Sequence, residues 1–189
     1  MNKNSFFAFI SRMKYINRWG LMHNSRFENL SEHSFETAVI ANALANIENE
    51  MFDGEFDTDK ITVAALFHDC AEIITGDLPT PVKHNNPALL SEYHNIEKKA
   101  QETLITGLPD PLKDIYRGYM IEHPIIKAAD KLSALIKCTT EKAVGNNDFS
   151  SAEKTILAAL EKSEFKSVKY FIDNILPCYS MTLDEMSQK

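Results

Sequence analysis

A chain of 189 residues, 44% hydrophobic and 25% charged, has the size and balance of one soluble globular domain, which excludes a disordered chain. Its formal net charge of −7, with no basic block to offset it, excludes wrapping a nucleic-acid polymer but leaves room for a small phosphorylated substrate. Cys70, Cys138 and Cys178 are widely spaced, match no zinc motif or disulfide framework, and read as reduced thiols packed as small apolar groups. The start of the chain has too short an apolar run for a signal peptide, and no stretch approaches the ~20 apolar residues of a membrane span. A cytoplasmic enzyme with no membrane partner is expected.

The periodicity is helical almost throughout. Ser31 is placed to cap a helix with Phe35, Val39, Ala43, Leu44 and Ile47 on its apolar side. Thr58 or Asp59 opens the next, which runs through Ile61, Ala64, Ala65 and Phe67 to Ile73 or Ile74, with Gly76 as a left-handed stop. The prolines of Asp77-Leu78-Pro79-Thr80-Pro81 forbid helix interior. Helix resumes at Pro87 with Leu89, Tyr93, Ile96, Ala100 and Leu104 on one side, until Gly107 and Pro109 stop it. A short helix from Pro111 follows, then one from Pro124 to near Gly145 carrying Ile125, Ala129, Leu132 and Ile136. Two more span about 150–160 and 165–176. Strand signals are nearly absent, so the sequence predicts an all-α chain, a single-domain helical bundle.

Inside this frame, His33, His68, Asp69 and Asp130 stand where imidazole and carboxylate groups from three helices could meet on one divalent metal. Adjacent His68 and Asp69 point about 100° apart on a helix, so both can reach an ion between them. The helix before them is apolar from Val63 to Phe67, and burying both groups without a ligand is costly. Glu72 falls one helical turn beyond His68, on the same face, as a carboxylate free to move a proton. Two nitrogens and two carboxylates with open positions suit Mn²⁺, Co²⁺ or Fe²⁺ better than a closed structural zinc site. Mg²⁺ remains an alternative, although it does not usually choose imidazole. Taken singly, His33 and Asp130 read equally well as satisfied or solvated helix residues. His84 and His94 read as surface residues, and Pro124 argues against a metal role for His123.

The order H…HD…D on a helical frame resembles the HD-domain superfamily of metal-dependent phosphohydrolases. Asn17-Arg18-Trp19, Glu32-His33-Ser34 and the run from His68-Asp69-Cys70-Ala71-Glu72 to Thr75-Gly76-Asp77-Leu78-Pro79-Thr80-Pro81-Val82-Lys83 are similar to bacterial 5′-deoxynucleotidases of the YfbR type. The likeness reaches from Phe6-Phe7 to Thr182-Leu183-Asp184-Glu185-Met186-Ser187 and so covers nearly the whole chain. It implies one HD domain over residues 1–189, with a metal core at about 28–140 and C-terminal helices at 148–177 packed on it.

The implied activity is hydrolysis of deoxyribonucleoside 5′-monophosphates to deoxynucleoside and phosphate. His33, His68, Asp69 and Asp130 would hold the metal, Co²⁺ or Mn²⁺ foremost, with Fe²⁺ or Mg²⁺ as alternatives. Arg18 would orient the phosphate, a role the guanidinium fork suits. Trp19 would line the sugar pocket and close the space of a ribose 2′-hydroxyl. Asp77, Leu78, Pro79 and Thr80 would hold the sugar, Asp69 and Asp130 would reach substrate through the metal shell, and Glu72 would serve as acid or base. Read without the likeness, Arg18 and Trp19 are a surface cation beside a core aromatic, Asp77 caps a turn, and Glu72 is a solvated helical residue.

Other HD branches fit less well. Cyclic-dinucleotide phosphodiesterases carry a GYP motif, whereas here Gly118-Tyr119-Met120 lies far from His68-Asp69. Alarmone hydrolases carry an acidic pair where this chain has Glu72-Ile73. A deoxynucleoside triphosphohydrolase is the nearest enzymatic alternative, and a silent nucleotide sensor the nearest non-enzymatic one. The resemblance also implies a homodimer.

Overall fold

Asn29, rather than Ser31, starts the longest helix. Its side-chain oxygen accepts from the backbone N–H groups of Ser31 and Glu32 at 3.0 and 3.1 Å, while the Glu32 carboxylate accepts from Asn29 N–H at 3.3 Å. This reciprocal capping box launches α2 (Leu30–Met51). The inward face of α2 is also not the one that the largest apolar residues suggest. Phe35 is 67% and Val39 53% exposed, whereas His33, Thr37, Ala38, Ile40, Ala41, Leu44 and Ala45 are buried. The buried face thus mixes Ile40 and Leu44 with small and polar residues, while aromatic Phe35 lies outside it.

The computed structural model describes residues 4–79, 83 and 86–187. Among the described residues the further α-helices include α1 (Phe6–Ile10), α3 (Thr58–Phe67), α4 (Glu72–Thr75), α5 (Pro87–Ile105), α6 (Asp110–Arg117), α7 (Pro124–Ala143), α8 (Ser150–Leu160), α9 (Lys166–Tyr170) and α10 (Leu183–Ser187). Among the described residues there is no strand, only an isolated antiparallel bridge between Asn17 and Asn29, so the fold is all-α. No helix among them is long and apolar enough to cross a membrane. Two compact units arise: Met1–Leu21, Phe27–Phe35 and Val63–Glu122 form the first, and Met22–Arg26, Glu36–Thr62 and His123–Lys189 the second.

In the first unit, Phe6, Cys70, Leu104, Ile105 and Leu108 form a buried cluster, with Phe67, Ile73, Leu112 and Tyr116 packed against it. Phe67 meets Tyr116 edge-on at 5.7 Å between ring centroids, and Phe6 meets the same ring at 5.0 Å. Such pairs contribute about 0.5–1.5 kcal/mol each beyond their buried area, and they fix the end of α3. On α5 the buried side chains are Tyr93, Ala100, Leu104 and Ile105, while Leu89 and Ile96 are exposed, two departures from the expected stripe. Cys70 is fully buried, and burial together with the charge of Asp69 pushes its thiol up to about 12. It is an unreactive packing group.

In the second unit, α7 opens at Pro124 as expected and buries Ile125, Ala129, Leu132 and Ile136. His123 is its N-cap: the ring Nδ1 accepts from Ile125 N–H at 3.2 Å. Gly145 follows the helix with φ +86°. Near the end of α7, Lys137 and Glu141 pair in the interior. Lys137 Nζ also donates to Arg26 O at 2.6 Å, and Glu141 accepts from Ser25 N–H at 3.0 Å and from Asn146 at 2.8 Å. Burial alone would raise the Glu141 carboxyl, but bonds from Lys137, Ser25 and Asn146 outweigh it and hold the group well below 4.5.

A depressed carboxyl adds stability above its unfolded pKa, and that stability is lost as pH falls through the folded value. Acid unfolding should therefore carry a Glu141 contribution below about 4.5. Urea midpoints of the wild type should drop between about pH 7 and pH 3 more steeply than those of Glu141→Gln. Equal slopes for the two proteins would contradict this assignment. At neutral pH the variant should lose about 3–5 kcal/mol, because it leaves the Lys137 charge buried and poorly compensated.

Candidate active site

The chain enters the site of the first unit through two short segments clamped side by side. Arg18 N–H donates to Glu28 O at 2.9 Å and Leu30 N–H to Ile16 O at 2.9 Å, on either side of the Asn17–Asn29 bridge. Arg18 is thereby set close to the first turn of α2, which carries His33. Trp19 then turns the chain with φ +59°, a left-handed conformation that costs a non-glycine residue about 1–3 kcal/mol. Its indole is half-buried.

The histidine–aspartate pair does not continue a helix. α3 ends at Phe67, and the chain passes through a turn at 68–71 before the single-turn helix α4. Successive i→i−3 bonds tighten this passage: Cys70 N–H to Phe67 O at 3.1 Å, Glu72 N–H to Asp69 O at 2.9 Å and Ile73 N–H to Cys70 O at 3.2 Å. The expected unbroken helix to Ile73 or Ile74 is corrected accordingly. Ala65 O accepts from His68 N–H at 3.5 Å and also lies 2.7 Å from His68 Nδ1. A carbonyl oxygen only accepts, so Nδ1 carries the proton and Nε2 presents its lone pair.

That lone pair meets a second donor. His68 Nε2 is buried without a hydrogen-bond partner among the described residues, yet it lies 3.1 Å from Asp69 Oδ2. His33, 1% exposed, brings its Nε2 to 3.5 Å from the same oxygen, and the ligand nitrogens of the two histidines stand within 4.8 Å of each other. Two imidazoles and a carboxylate facing inward repel one another unless a cation or proton lies between them. The donor set fits a divalent ion. Burial would raise the Asp69 carboxyl, but His68 and His33 outweigh it and hold the group well below its ordinary 3.8.

Around these donors stand charged groups of both signs. Arg18 Nε donates to Glu28 Oε1 at 2.9 Å, and an Arg18 terminal nitrogen reaches Asp69 Oδ2 at 3.5 Å. Glu72 is buried, with Oε1 accepting from Lys83 Nζ at 3.1 Å and Oε2 without a partner among the described residues. Burial and the charges of Asp69 and Asp77, opposed by Lys83, push the Glu72 carboxyl up to about 8. Burial lowers the proton affinity of Lys83, but Glu72 and Glu97 more than reverse that and keep it an ammonium. Lys83 also sits 4.7 Å from the centre of the Tyr93 ring, whose hydroxyl donates to Gly76 O at 3.3 Å.

The first unit thus brings together Arg18, His33, His68, Asp69 and Glu72. Asp77, Leu78 and Pro79 follow α4 as half-buried residues, while Thr80 and His84 lie outside the described residues. Gly76 adopts φ +75° and ψ 160°, an extended left-hand conformation open to glycine, rather than the expected left-handed helical cap. Asp130 belongs to the second unit, on α7 directly after buried Ala128 and Ala129. Glu28 and Lys83 carry much of the local electrostatics; Lys83 ends the His68–Lys83 run with no assigned role, and Glu28 lies outside every motif. An acidic residue five before His33, outside any helix, was the available signal for Glu28.

A family model described as 5′-deoxynucleotidase YfbR-like matches residues 5–179. The chain belongs to that family. Within it, the 5′-deoxynucleotidase YfbR of Escherichia coli strain ATCC 8739 is 43% identical over 195 aligned residues, covering 100% of this chain and 98% of the relative. The strain K12/DH10B protein of the same name gives the same figures. Among solved structures, an HD-domain phosphohydrolase (lin2634) from Listeria innocua superposes with a TM-score of 0.82 at 27% identity, covering 95% of this chain and 90% of that one. The cyanophage S-2L HD phosphohydrolase DatZ, bound to dA and one catalytic Zn²⁺ ion, has a TM-score of 0.63 at 20% identity, covering 90% and 95%, and shows the shared fold alone.

Proposed function

We propose that this YfbR-like chain is a 5′-deoxynucleotidase, a phosphoric monoester hydrolase that converts deoxyribonucleoside 5′-monophosphates to deoxynucleoside and phosphate with a divalent metal. The observation that carries the reading is the convergence of His33 Nε2, His68 Nε2 and Asp69 Oδ2 beside Arg18 and a buried, proton-holding Glu72. His33, His68 and Asp69 would hold the ion, joined by Asp130, which completes the H…HD…D order from α7. The set favours Co²⁺ or Mn²⁺, with Fe²⁺ or Mg²⁺ as alternatives, and the Zn²⁺ of DatZ adds zinc to the ions to be tried. A bound ion supplies charge for the phosphoryl oxygens and acidifies water.

Arg18 binds two phosphoryl oxygens and stabilises charge as the phosphoryl group passes in line between oxygens. Asp69 and Asp130 would hold the ion and meet the substrate by way of it. Glu72, protonated at neutral pH, donates to the leaving 5′-oxygen. Asp77 accepts a hydrogen bond from the 3′-hydroxyl, and Leu78, Pro79 and Thr80 line the sugar. Trp19 fills the volume that a 2′-hydroxyl needs. A strained φ held at this residue supports a positioned indole, because the strain persists only where surrounding structure over-determines it.

The two units are read as one HD domain over residues 1–189. Each is assembled from three separated segments, so neither is a continuous stretch of chain. Cytoplasmic residence is supported by Cys70, a free and buried thiol. Homodimer formation is supported by exposed Phe35 and Val39, one turn apart on α2, as surface that pairing would cover.

Phosphate release from dAMP, AMP and 3′-dAMP, with each divalent ion in turn, tests the reading. Wild type should prefer dAMP to AMP, and Trp19→Ala and Trp19→Gly should each lower that preference about tenfold or more. Glycine also relieves the backbone strain, so shared loss in both variants assigns selectivity to the indole. Equal wild-type rates on dAMP and AMP sink the sugar selectivity, and no release with any ion sinks the hydrolase.

A further inference from the structure

Glu28 touches both the phosphate-binding side of the site and its metal side. Its Oε1 accepts from Arg18 Nε at 2.9 Å, its backbone oxygen accepts from Arg18 N–H at 2.9 Å, and the same Oε1 stands 3.6 Å from His33 Nδ1. The contacts form a closed ring. Arg18 and the His33 imidazole each span the same two carboxylates, Glu28 on one side and Asp69 on the other, at 3.5 Å in both cases on the Asp69 side.

Arg18, Glu28 and Asp69 side chains are 12%, 15% and 23% exposed, so the charges are largely withdrawn from water and hold one another in place. What the ring does is orient. A guanidinium is a rigid plane, and a carboxylate on its Nε fixes the direction of the terminal nitrogens. A carboxylate beside Nδ1 favours the tautomer with its proton there, leaving the Nε2 lone pair turned toward Asp69. His68 reaches the same state through Ala65 O.

We propose that Glu28 is a positioning residue that sets the Arg18 guanidinium and the His33 tautomer together, so that the phosphate clamp and the metal ligands are aligned by one carboxylate. The proposal deepens the phosphohydrolase reading and rests on it for the roles of Arg18 and His33.

The test needs no turnover. Free Mn²⁺ is followed by electron paramagnetic resonance as it is titrated into the full-length wild type, Glu28→Gln and Glu28→Ala, and binding of inorganic phosphate to the Mn²⁺-loaded proteins is measured by calorimetry. Glu28→Gln keeps an acceptor for Arg18 Nε and loses the charge beside Nδ1. It should weaken Mn²⁺ binding about tenfold or more while phosphate affinity is retained. Glu28→Ala should weaken both. Loss of thermal stability in the metal-free variants, with both dissociation constants unchanged, makes Glu28 merely structural and overturns the proposal. Should Glu28→Ala fail to fold, Glu28→Gln decides: wild-type Mn²⁺ affinity overturns the proposal. Absence of dAMP hydrolysis by the wild type counts against the hydrolase reading instead, since the Mn²⁺ comparison is read without catalysis.

Discussion

Glu72→Gln is expected to leave the chain folded and to lower kcat about 10²- to 10⁴-fold, the usual contribution of a positioned proton donor. Glutamine preserves shape and can accept from Lys83 Nζ through its amide oxygen, but it holds no transferable proton. The pH dependence carries the sign. The Glu72 carboxyl is raised to about 8 by burial first and by Asp69 second. An ion at Asp69 offsets the second cause and leaves the first. The acid form is therefore present below about 8, and kcat should fall as pH rises through that value. A kcat that climbs through the same range and levels off would assign Glu72 the base role and contradict the proton-donor step.

Stability supplies an independent check on the same residue. A raised carboxyl adds to stability below its unfolded pKa, and the contribution is lost as pH rises through the folded value. In metal-free protein the wild type should lose stability between about 4.5 and about 8, and Glu72→Gln should lose less. The exchange is a familiar one, in which a buried acid costs stability and serves chemistry.

Removing the metal donors should have the second large effect. His68→Ala and Asp69→Ala are each expected to abolish detectable phosphate release and to weaken Mn²⁺ binding so far that the protein purifies without stoichiometric metal, as measured by elemental analysis. Chelation of the wild type should reproduce the loss, and added Mn²⁺ or Co²⁺ should reverse it in the wild type alone. In metal-free protein at neutral pH Asp69→Ala should lose stability, because a carboxyl held well below 3.8 by His68 and His33 is a stabilising charge in the folded state. Full activity of either variant in the presence of chelator would exclude this donor set as the centre of the reaction.

The helical frame was legible because its signals are local. Pro87 after Asn86 and Pro124 after His123 start helices where they stand, and Gly145 follows one that ends. Apolar spacing found the buried face of α7 correctly. On α2 it found buried Leu44 but not the rest of the face, for Phe35 and Val39 turn outward while His33, Thr37, Ile40 and three alanines turn in. Spacing reports that a stripe exists, but when both sides of a helix are apolar the burial is decided by what packs against it. The passage through His68 and Asp69 has the residue pattern of a helix and yet is a turn, for a related reason. No proline or glycine marks it, and the break is made by aromatic packing that fixes Phe67 and by i→i−3 bonds that follow.

By itself, the sequence determined that the chain is all-α and that the likeness is to 5′-deoxynucleotidases, and it nominated His33, His68, Asp69, Asp130, Glu72 and Arg18 as the candidates for chemistry. Those conclusions rest on residue types and order, which folding does not alter. Tertiary structure alone decided the electrostatics. It placed Glu28 against both Arg18 and His33, separated by 10 and 5 positions in the chain, and it set Lys83 on Glu72. It also buried Glu72, which turned an ordinary helical carboxyl into a proton holder. Field and solvation act through space over a few ångströms, and no local pattern in a sequence encodes which distant charges will share that space.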